Sequence, residues 1–283
     1  MNDRRYDAIV VGARCAGSPT AMLLARRGYR VLLIDRARFP SDTVSTHLIH
    51  APGVAALDRW GLLDRLVATG CPAISTYCFD FGPLTISGTP RPAGGTAVAY
   101  GPRRTVLDKL LIDAAGQAGA EIRDGFTVDE LIIEDGTVAG IGGHARHRPP
   151  VAERARVVIG AGGARSRVAA AAGAGRYHRK PMLAVACYSY WSGFPAGGAR
   201  PAVRPRRAAG ALRTNAGLTL LVAAWPAAEF QPMKHDLERN YLTVLRSVFG
   251  VRLASALLSS SFRRPARPRC RSPWRCCYWC SAS

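Results

Sequence analysis

Two glycines, an arginine and a lone carboxylate supply the first chemistry in this chain. Residues 7–21 read DAIVVGARCAGSPTA, with Gly12 and Gly17 at the outer positions of a G-x-G-x-x-G spacing and Arg14 in the middle one. Asp35 follows Gly17 by eighteen positions. Gly12 permits a sharp strand-to-helix turn, and Gly17 lets the helix pack closely on the strand. The helix start offers amide donors and partial positive charge to a pyrophosphate. An acid at the end of the next strand can accept hydrogen bonds from a ribose diol. Arg14 adds bulk where backbone and phosphate would meet, and its guanidinium could point outward or pair with the pyrophosphate itself. The plain alternative is a strand–helix–strand unit with a glycine turn and no ligand.

Other reactive side chains carry less. Cys15 lies in the loop with no base nearby in sequence and reads as a packing residue rather than a nucleophile. His47 reads as structural, and His144 and His147 as bystanders in a polar loop, GGHARHRPP. Cys277 and Cys280 form a C-x-x-C, but no second ligand pair stands at a finger-like spacing, so no metal is expected.

The elements that must position the loop are legible from periodicity. Tyr6–Val11 is an apolar run fitting a buried parallel strand, and a helix over 16–27 ends at Gly28. Arg30–Ile34 is a second strand with Asp35 at its carboxyl end. A nicotinamide-binding domain would usually continue at once with another helix and parallel strand. Here residues 36–70 instead hold a loop and a helix, VAALDRWGLLDRLV, and 74–100 alternate apolar and polar as antiparallel strands do. A helix over 104–118 follows, then a strand at 120–123 and strands around the turn Asp135-Gly136. A strand in 156–168 runs into a second glycine turn and helix, 216–225 reads as a strand, and 235–249 as a helix.

The chain has 283 residues, a net charge of +20 and ordinary hydrophobic content, as expected of a globular protein. No apolar run approaches the roughly 18–20 residues that span a bilayer, and no signal peptide is apparent, so no membrane span and a cytoplasmic location are expected. The charge is uneven: residues 1–194 carry +8 and residues 195–283 carry +12. Five arginines in 200–213 and six in 263–275 stand in Pro/Arg/Ala-rich segments, not on one face of a folded element. Aromatic interleaving and a helix-turn-helix pattern are missing, so no nucleic-acid partner is expected.

With its second glycine turn, this order resembles the FAD-dependent aromatic hydroxylase and geranylgeranyl-reductase superfamily, of which p-hydroxybenzoate hydroxylase is the familiar member. The resemblance covers roughly residues 5–250 and is clearest over 5–66, 98–123 and 154–170. It is similar above all to bacterial members reading G-A-R-C-A-G, followed by a stretch like FPSDT-STHLI, in which a middle arginine is normal. The resemblance implies an α/β fold: a Rossmann-like FAD-binding domain of the glutathione-reductase type, with a β-rich substrate domain. It places the discontinuous FAD-binding domain in 1–73 and 101–175, and a partial substrate domain in 74–100 and 176–260, leaving 261–283 as an irregular basic tail. It implies that Gly12, Arg14, Ala16 and Gly17 form the pyrophosphate loop and that Asp35 binds the ribose, with Arg36 near the adenosine half. Arg104 would reach the flavin's phosphate or ribityl region, the Val128 backbone would meet the adenine, and Ser45-Thr46-His47 would near the isoalloxazine. NAD(P)H would be the electron donor and a small organic substrate would be hydroxylated. Alkene reduction of an isoprenoid is the alternative, and a catalytically inactive nucleotide-binding remnant is another.

Two departures stand out. The family's second fingerprint, G-A-D-G, reads Gly160-Ala161-Gly162-Gly163 here, so Gly162 takes the position of a cofactor-binding aspartate. A charge-assisted hydrogen bond of about 1.5–3 kcal/mol is thereby removed. Past about Ser260 the sequence is SFRRPARPRCRSPWRCCYWCSAS, without apolar periodicity and without the family's third G-D-A motif. That composition is what GC-rich coding DNA yields in a shifted frame. The expectation is a C-terminally incomplete, truncated or frame-shifted chain, impaired in turnover and in holding FAD.

Overall fold

The computed structural model describes residues 5–250, 261–262 and 275–279. The chain divides into two units: one comprises residues up to Thr43 together with Arg104–Tyr177, the other Val44–Arg103 together with the residues from His178 onward.

The first unit is built on a six-stranded sheet. Its strands are β1 (Tyr6–Val11), β2 (Val31–Asp35), β7 (Glu121–Asp124), β8 (Phe126–Glu134), β9 (Thr137–Ala145) and β10 (Val151–Gly160), in the spatial order β7-β2-β1-β10-β9-β8. β1 pairs in parallel with β2 and β10, aligning Ile9 with Leu32 on one side and Val158 on the other. β7 extends the parallel part beside β2, whereas β8 and β9 form an antiparallel hairpin continuing into β10. Ile9, Leu32 and Ile34 lose essentially all exposure, as expected for parallel strands covered on both faces. Helix α1 (Gly17–Ala25) leaves the carboxyl end of β1, and α4 (Arg104–Gln117) packs beside it. A short helix, α5 (Arg167–Ala171), follows the second glycine turn. β10 begins five residues before the expected strand because Val151–Arg154 pair with Gly140–Gly143, a ladder that local periodicity does not reveal.

The second unit holds a larger sheet. Its strands are β4 (Tyr77–Asp80), β5 (Thr85–Gly88), β11 (Ala184–Ser192), β12 (Ala199–Arg204), β13 (Arg207–Arg213) and β14 (Leu218–Pro226), in the order β11-β14-β13-β12-β4-β5. Two stretches of the expected tail, β15 (Ser261–Phe262) and β16 (Arg275–Trp279), pair antiparallel with β11. β3 (Ala73–Ile74) and β6 (Ala99–Tyr100) form a separate two-stranded ladder. Short helices α2 (Ala51–Arg59), α3 (Leu63–Val67) and α6 (Phe230–Met233) complete the unit with α7 (Leu237–Phe249).

α7 covers one face of this sheet. Tyr241, Val244, Leu245 and Val248 pack on Val185, Leu221 and Trp225, and the Tyr241 hydroxyl bonds Ser189 and the Leu221 carbonyl. The Asp236 side chain caps the helix start, and Gly250 at φ +73° ends it.

Two expectations need correction. The helix expected across VAALDRWGLLDRLV is broken: α2 stops at Arg59, Gly61 adopts φ +70°, and α3 starts afresh at Leu63. The arginine-rich stretch 200–213, expected to stand apart from any one face of a folded element, lies in the β12–β13 hairpin. Arg204 pairs with Asp80, and both Arg206 and Arg207 with Glu229, so two long-range acids engage three of the five arginines. No helix among the described residues is long and apolar enough to cross a membrane.

Candidate dinucleotide site

The site begins where β1, β2 and β10 end side by side. Gly12 leaves β1 at φ +112°, and a Cβ there would lie 2.5 Å from the Ala161 carbonyl oxygen. A Cβ on Gly17 would lie 1.7 Å from the Gly12 carbonyl oxygen and 3.1 Å from the Ala161 Cβ. Both positions therefore require glycine, Gly12 also for its backbone conformation. The second glycine turn packs against the first, and the Ala161 amide donates to the Val11 carbonyl at 2.8 Å. Ala16 is the N-cap of α1; no side chain caps that end, and its first turn carries no acid. Such a helix start presents amides and a positive dipole end to an anion.

Asp35 stands beside this turn. Its Oδ2 accepts from the Ala13 amide at 2.8 Å and its Oδ1 from the Ala37 amide at 2.7 Å. The carboxylate thus clamps the glycine loop to the end of β2 while retaining acceptor capacity on both oxygens. Arg36 next to it is exposed.

Arg14 does not crowd the loop, because its side chain leaves it. Nη1 pairs with Asp108, Nη2 donates to Ser41 Oγ at 2.9 Å, and the guanidinium lies 5.3 Å from the centroid of the Phe39 ring. Arg104 grips the same carboxylate: Nε is 3.0 Å from Oδ1, and Nη2 is 2.8 and 3.0 Å from the two oxygens. Asp108 is fully buried, yet two guanidiniums and the Cys15 thiol surround it. Desolvation, joined by the nearby Asp108 charge and opposed by Arg104, pushes the Cys15 thiol up to about 11. Cys15 is exposed as a residue, but its sulfur is no ready nucleophile at neutral pH.

Val128 lies on β8 and shares a core with Ile34, the residue before Asp35. Its carbonyl accepts from Arg167 Nη1 at 3.0 Å. Gly162 follows Ala161 at φ −75°, and a Cβ built there would meet Ser166 Cα at 3.2 Å, tight but open to a small adjustment. Gly12, Arg14, Ala16, Gly17, Asp35 and Gly162 are therefore gathered around one turn, with Arg104 joined to it through Asp108. Asp108, Ser41 and Phe39 escaped the sequence reading. An acid four residues after Arg104 on the apolar face of a helix was the available signal for the first of them.

Within the second unit, His47 is buried at φ +64°. Its Nδ1 lies 2.8 Å from the Ser45 carbonyl, which can only accept, so Nδ1 carries the proton. Nε2 is 2.6 Å from the Tyr190 hydroxyl, and the Arg103 guanidinium lies 4.8 Å from the Tyr190 ring centroid. Among the described residues no cluster of His, Cys, Asp and Glu could hold a metal; Cys280 of the C-x-x-C lies outside them.

The residues present fit a dinucleotide at its adenosine and pyrophosphate end: a glycine cradle that a Cβ would fill, a helix start free of side-chain caps, and an anchored acid. Gly162, beside the same turn, adds no side chain to it. Comparison with known proteins agrees with the cradle. A family described as FAD binding domain matches residues 5–188. The protein FixC of Salmonella typhi is 33% identical over 150 residues, which cover 50% of this chain and 34% of that protein. A digeranylgeranylglycerophospholipid reductase of Methanocella arvoryzae is 32% identical over 169 residues, covering 59% of this chain and 42% of the relative. Among solved structures, the myxobacterial chondrochloren halogenase CndH superposes with a TM-score of 0.82 at 22% identity, over 96% of this chain and 63% of that one. PqsL of Pseudomonas aeruginosa, described as a probable FAD-dependent monooxygenase, gives 0.70 at 18% identity over 82% and 64%. These likenesses to solved structures concern the fold. The chain spans between a third and a little over two fifths of the length of these curated relatives.

Proposed function

The chain belongs to the FAD binding domain family, and from that premise we propose that it is the FAD-holding part of a flavin-dependent oxidoreductase. In this reading NAD(P)H would be the electron donor and dioxygen the oxidant, one oxygen atom entering a small organic substrate and the other leaving as water. One observation carries it: Gly12 and Gly17, where no side chain fits, fold β1 into an α1 start free of side-chain caps, beside an Asp35 clamped to the same loop. Bound FAD would supply the redox chemistry, and the chain's residues bind and orient it. The amides at the start of α1 meet the pyrophosphate, and Asp35 accepts from the ribose hydroxyls. Arg104 serves the phosphate or ribityl region, Arg36 flanks the adenosine, and the Val128 backbone faces the adenine. Gly162 contributes backbone alone.

A second reading, reduction of an isoprenoid double bond, draws on the similarity to the digeranylgeranylglycerophospholipid reductase. It also draws on the β4–β5 hairpin, where Phe79, Phe81, Leu84 and Ile86 are exposed on one face. The experiment is to titrate the purified chain with FAD by flavin fluorescence. NADH and NADPH oxidation is then followed with and without oxygen, offering aromatic and isoprenoid substrates. Saturable FAD binding is the required first result, and its absence overturns the proposal. Oxygen consumption coupled to product favours hydroxylation, and oxygen-independent alkene loss favours reduction.

A further inference from the structure

The buried carboxylate of Asp108 has no place in the glycine-loop logic, yet it holds the side chains of two residues from different elements. Arg14 comes from the loop after β1, and Arg104 starts α4. Asp108 has no exposure, whereas the Arg14 and Arg104 side chains keep 25% and 12%. The anion is thus sealed behind its two cations. Burying a carboxylate is costly unless it is fully partnered, and here each oxygen is matched by guanidinium donors. Two guanidiniums around one carboxylate leave one net positive charge beside the start of α1. The pairing is also side-on for Arg104: it uses Nε and Nη2, which fixes the plane of the guanidinium and leaves Nη1 outside the pair. Arg14 is held in turn by Ser41 and Phe39.

We propose that Asp108 is the positioning residue of the phosphate site, holding Arg14 and Arg104 together so that a dinucleotide's pyrophosphate meets a preset cation at the start of α1. The inference rests on the FAD-holding function proposed above. It has a sign that a simple charge argument lacks. If Asp108 acted only as an anion near the phosphates, removing its charge would strengthen phosphate binding. If it acts by positioning, Asp108→Asn turns one of the two accepting oxygens into an amide donor that faces a guanidinium, so Arg14 and Arg104 can no longer both be held, and phosphate binding weakens despite the gain in positive charge. A purely architectural carboxylate would lower stability and affect ligands with and without phosphate alike.

The test measures affinities of the full chain for ADP and for adenosine, probes that share the base and ribose and differ in phosphate, at low and at moderate salt. Asp108→Asn is expected to reduce the preference for ADP over adenosine about tenfold and to flatten its salt dependence, with adenosine affinity unchanged. Asp108→Glu, which restores the charge, is expected to recover part of the preference. Should Asp108→Asn fail to fold, Arg104→Lys serves instead, because it keeps the charge and Asp108 while losing the planar grip; a several-fold loss of ADP preference is expected. An ADP preference that is unchanged or increased in the variants overturns the inference while leaving the cofactor assignment standing. A parent chain that binds neither ADP nor FAD overturns both.

Discussion

Replacing Gly17 by alanine puts the sharpest test on the cradle. The added Cβ would sit 1.7 Å from the Gly12 carbonyl oxygen, whereas real Cβ contacts essentially never fall below 3.0 Å. The obstacle is backbone, with the Ala161 Cβ behind it at 3.1 Å, so no rotamer change relieves it. The start of α1 must move away from β1 by more than about 1 Å, an overpacking error at the upper end of the usual cost, about 3 kcal/mol. For a chain of this size that lowers the melting midpoint by about 6–12 °C. The same shift draws the helix-start amides off the pyrophosphate. Losing one or two hydrogen bonds of about 1 kcal/mol each weakens FAD binding roughly five- to thirtyfold. Gly28→Ala is the control: it ends the same helix at φ +82° with nothing within 4 Å, so only backbone strain of about 1–2 kcal/mol applies and FAD affinity stays at the parent value. Thermal unfolding and FAD fluorescence titration on the three proteins decide it. If Gly17→Ala melts with the parent and binds FAD equally well, the packing argument for this turn is wrong.

Gly162→Asp, accommodated by a shift of a few tenths of an ångström at Ser166, is expected to tighten FAD binding about tenfold by supplying an acceptor; calorimetry showing equal or weaker binding would remove Gly162 from the site. The Cys15 thiol, pushed up to about 11, is expected to alkylate slowly at pH 8 and reach half its limiting rate only above pH 10, read by mass spectrometry of iodoacetamide-treated protein; half-maximal labelling near pH 8.5 would contradict the desolvated, Asp108-facing position. The hydrogen bond from Arg204 is the leading cause that holds the Asp80 carboxyl below its ordinary 3.8. A depressed carboxylate stabilises above its unfolded pKa and loses that contribution as pH falls through the folded value. Arg204→Ala should therefore destabilise the protein at pH 6 and approach the parent only as pH falls from 3.8 through the lower folded value in urea unfolding, and a difference that stays constant with pH would refute the pairing.

The glycine loop, the strands around it and Asp35 were legible in the sequence because each rests on local physics. A turn that admits no Cβ demands glycine, a strand buried on both faces demands a continuous apolar run, and an acid at a fixed offset lands at the end of the next strand. The α7 helix was legible as well: the helix expected over 235–249 overlaps Leu237–Phe249, whose buried Tyr241, Val244, Leu245 and Val248 recur at helical spacing. The arginines were not legible. Arg14 reads from sequence as an intrusion into the loop, and Arg204, Arg206 and Arg207 as a loose basic run. Their partners lie 94, 124, 23 and 22 residues away along the chain, at Asp108, Asp80, Glu229 and Glu229. A long charged side chain can reach in many directions, so periodicity carries no information about which acid it meets. Only the packing of α4 beside α1, of β12 beside β4 and of β13 beside β14 brings those acids within reach. Once Asp108 is buried, its desolvation cost makes the two guanidiniums obligatory neighbours, and that is a constraint only the tertiary structure can impose.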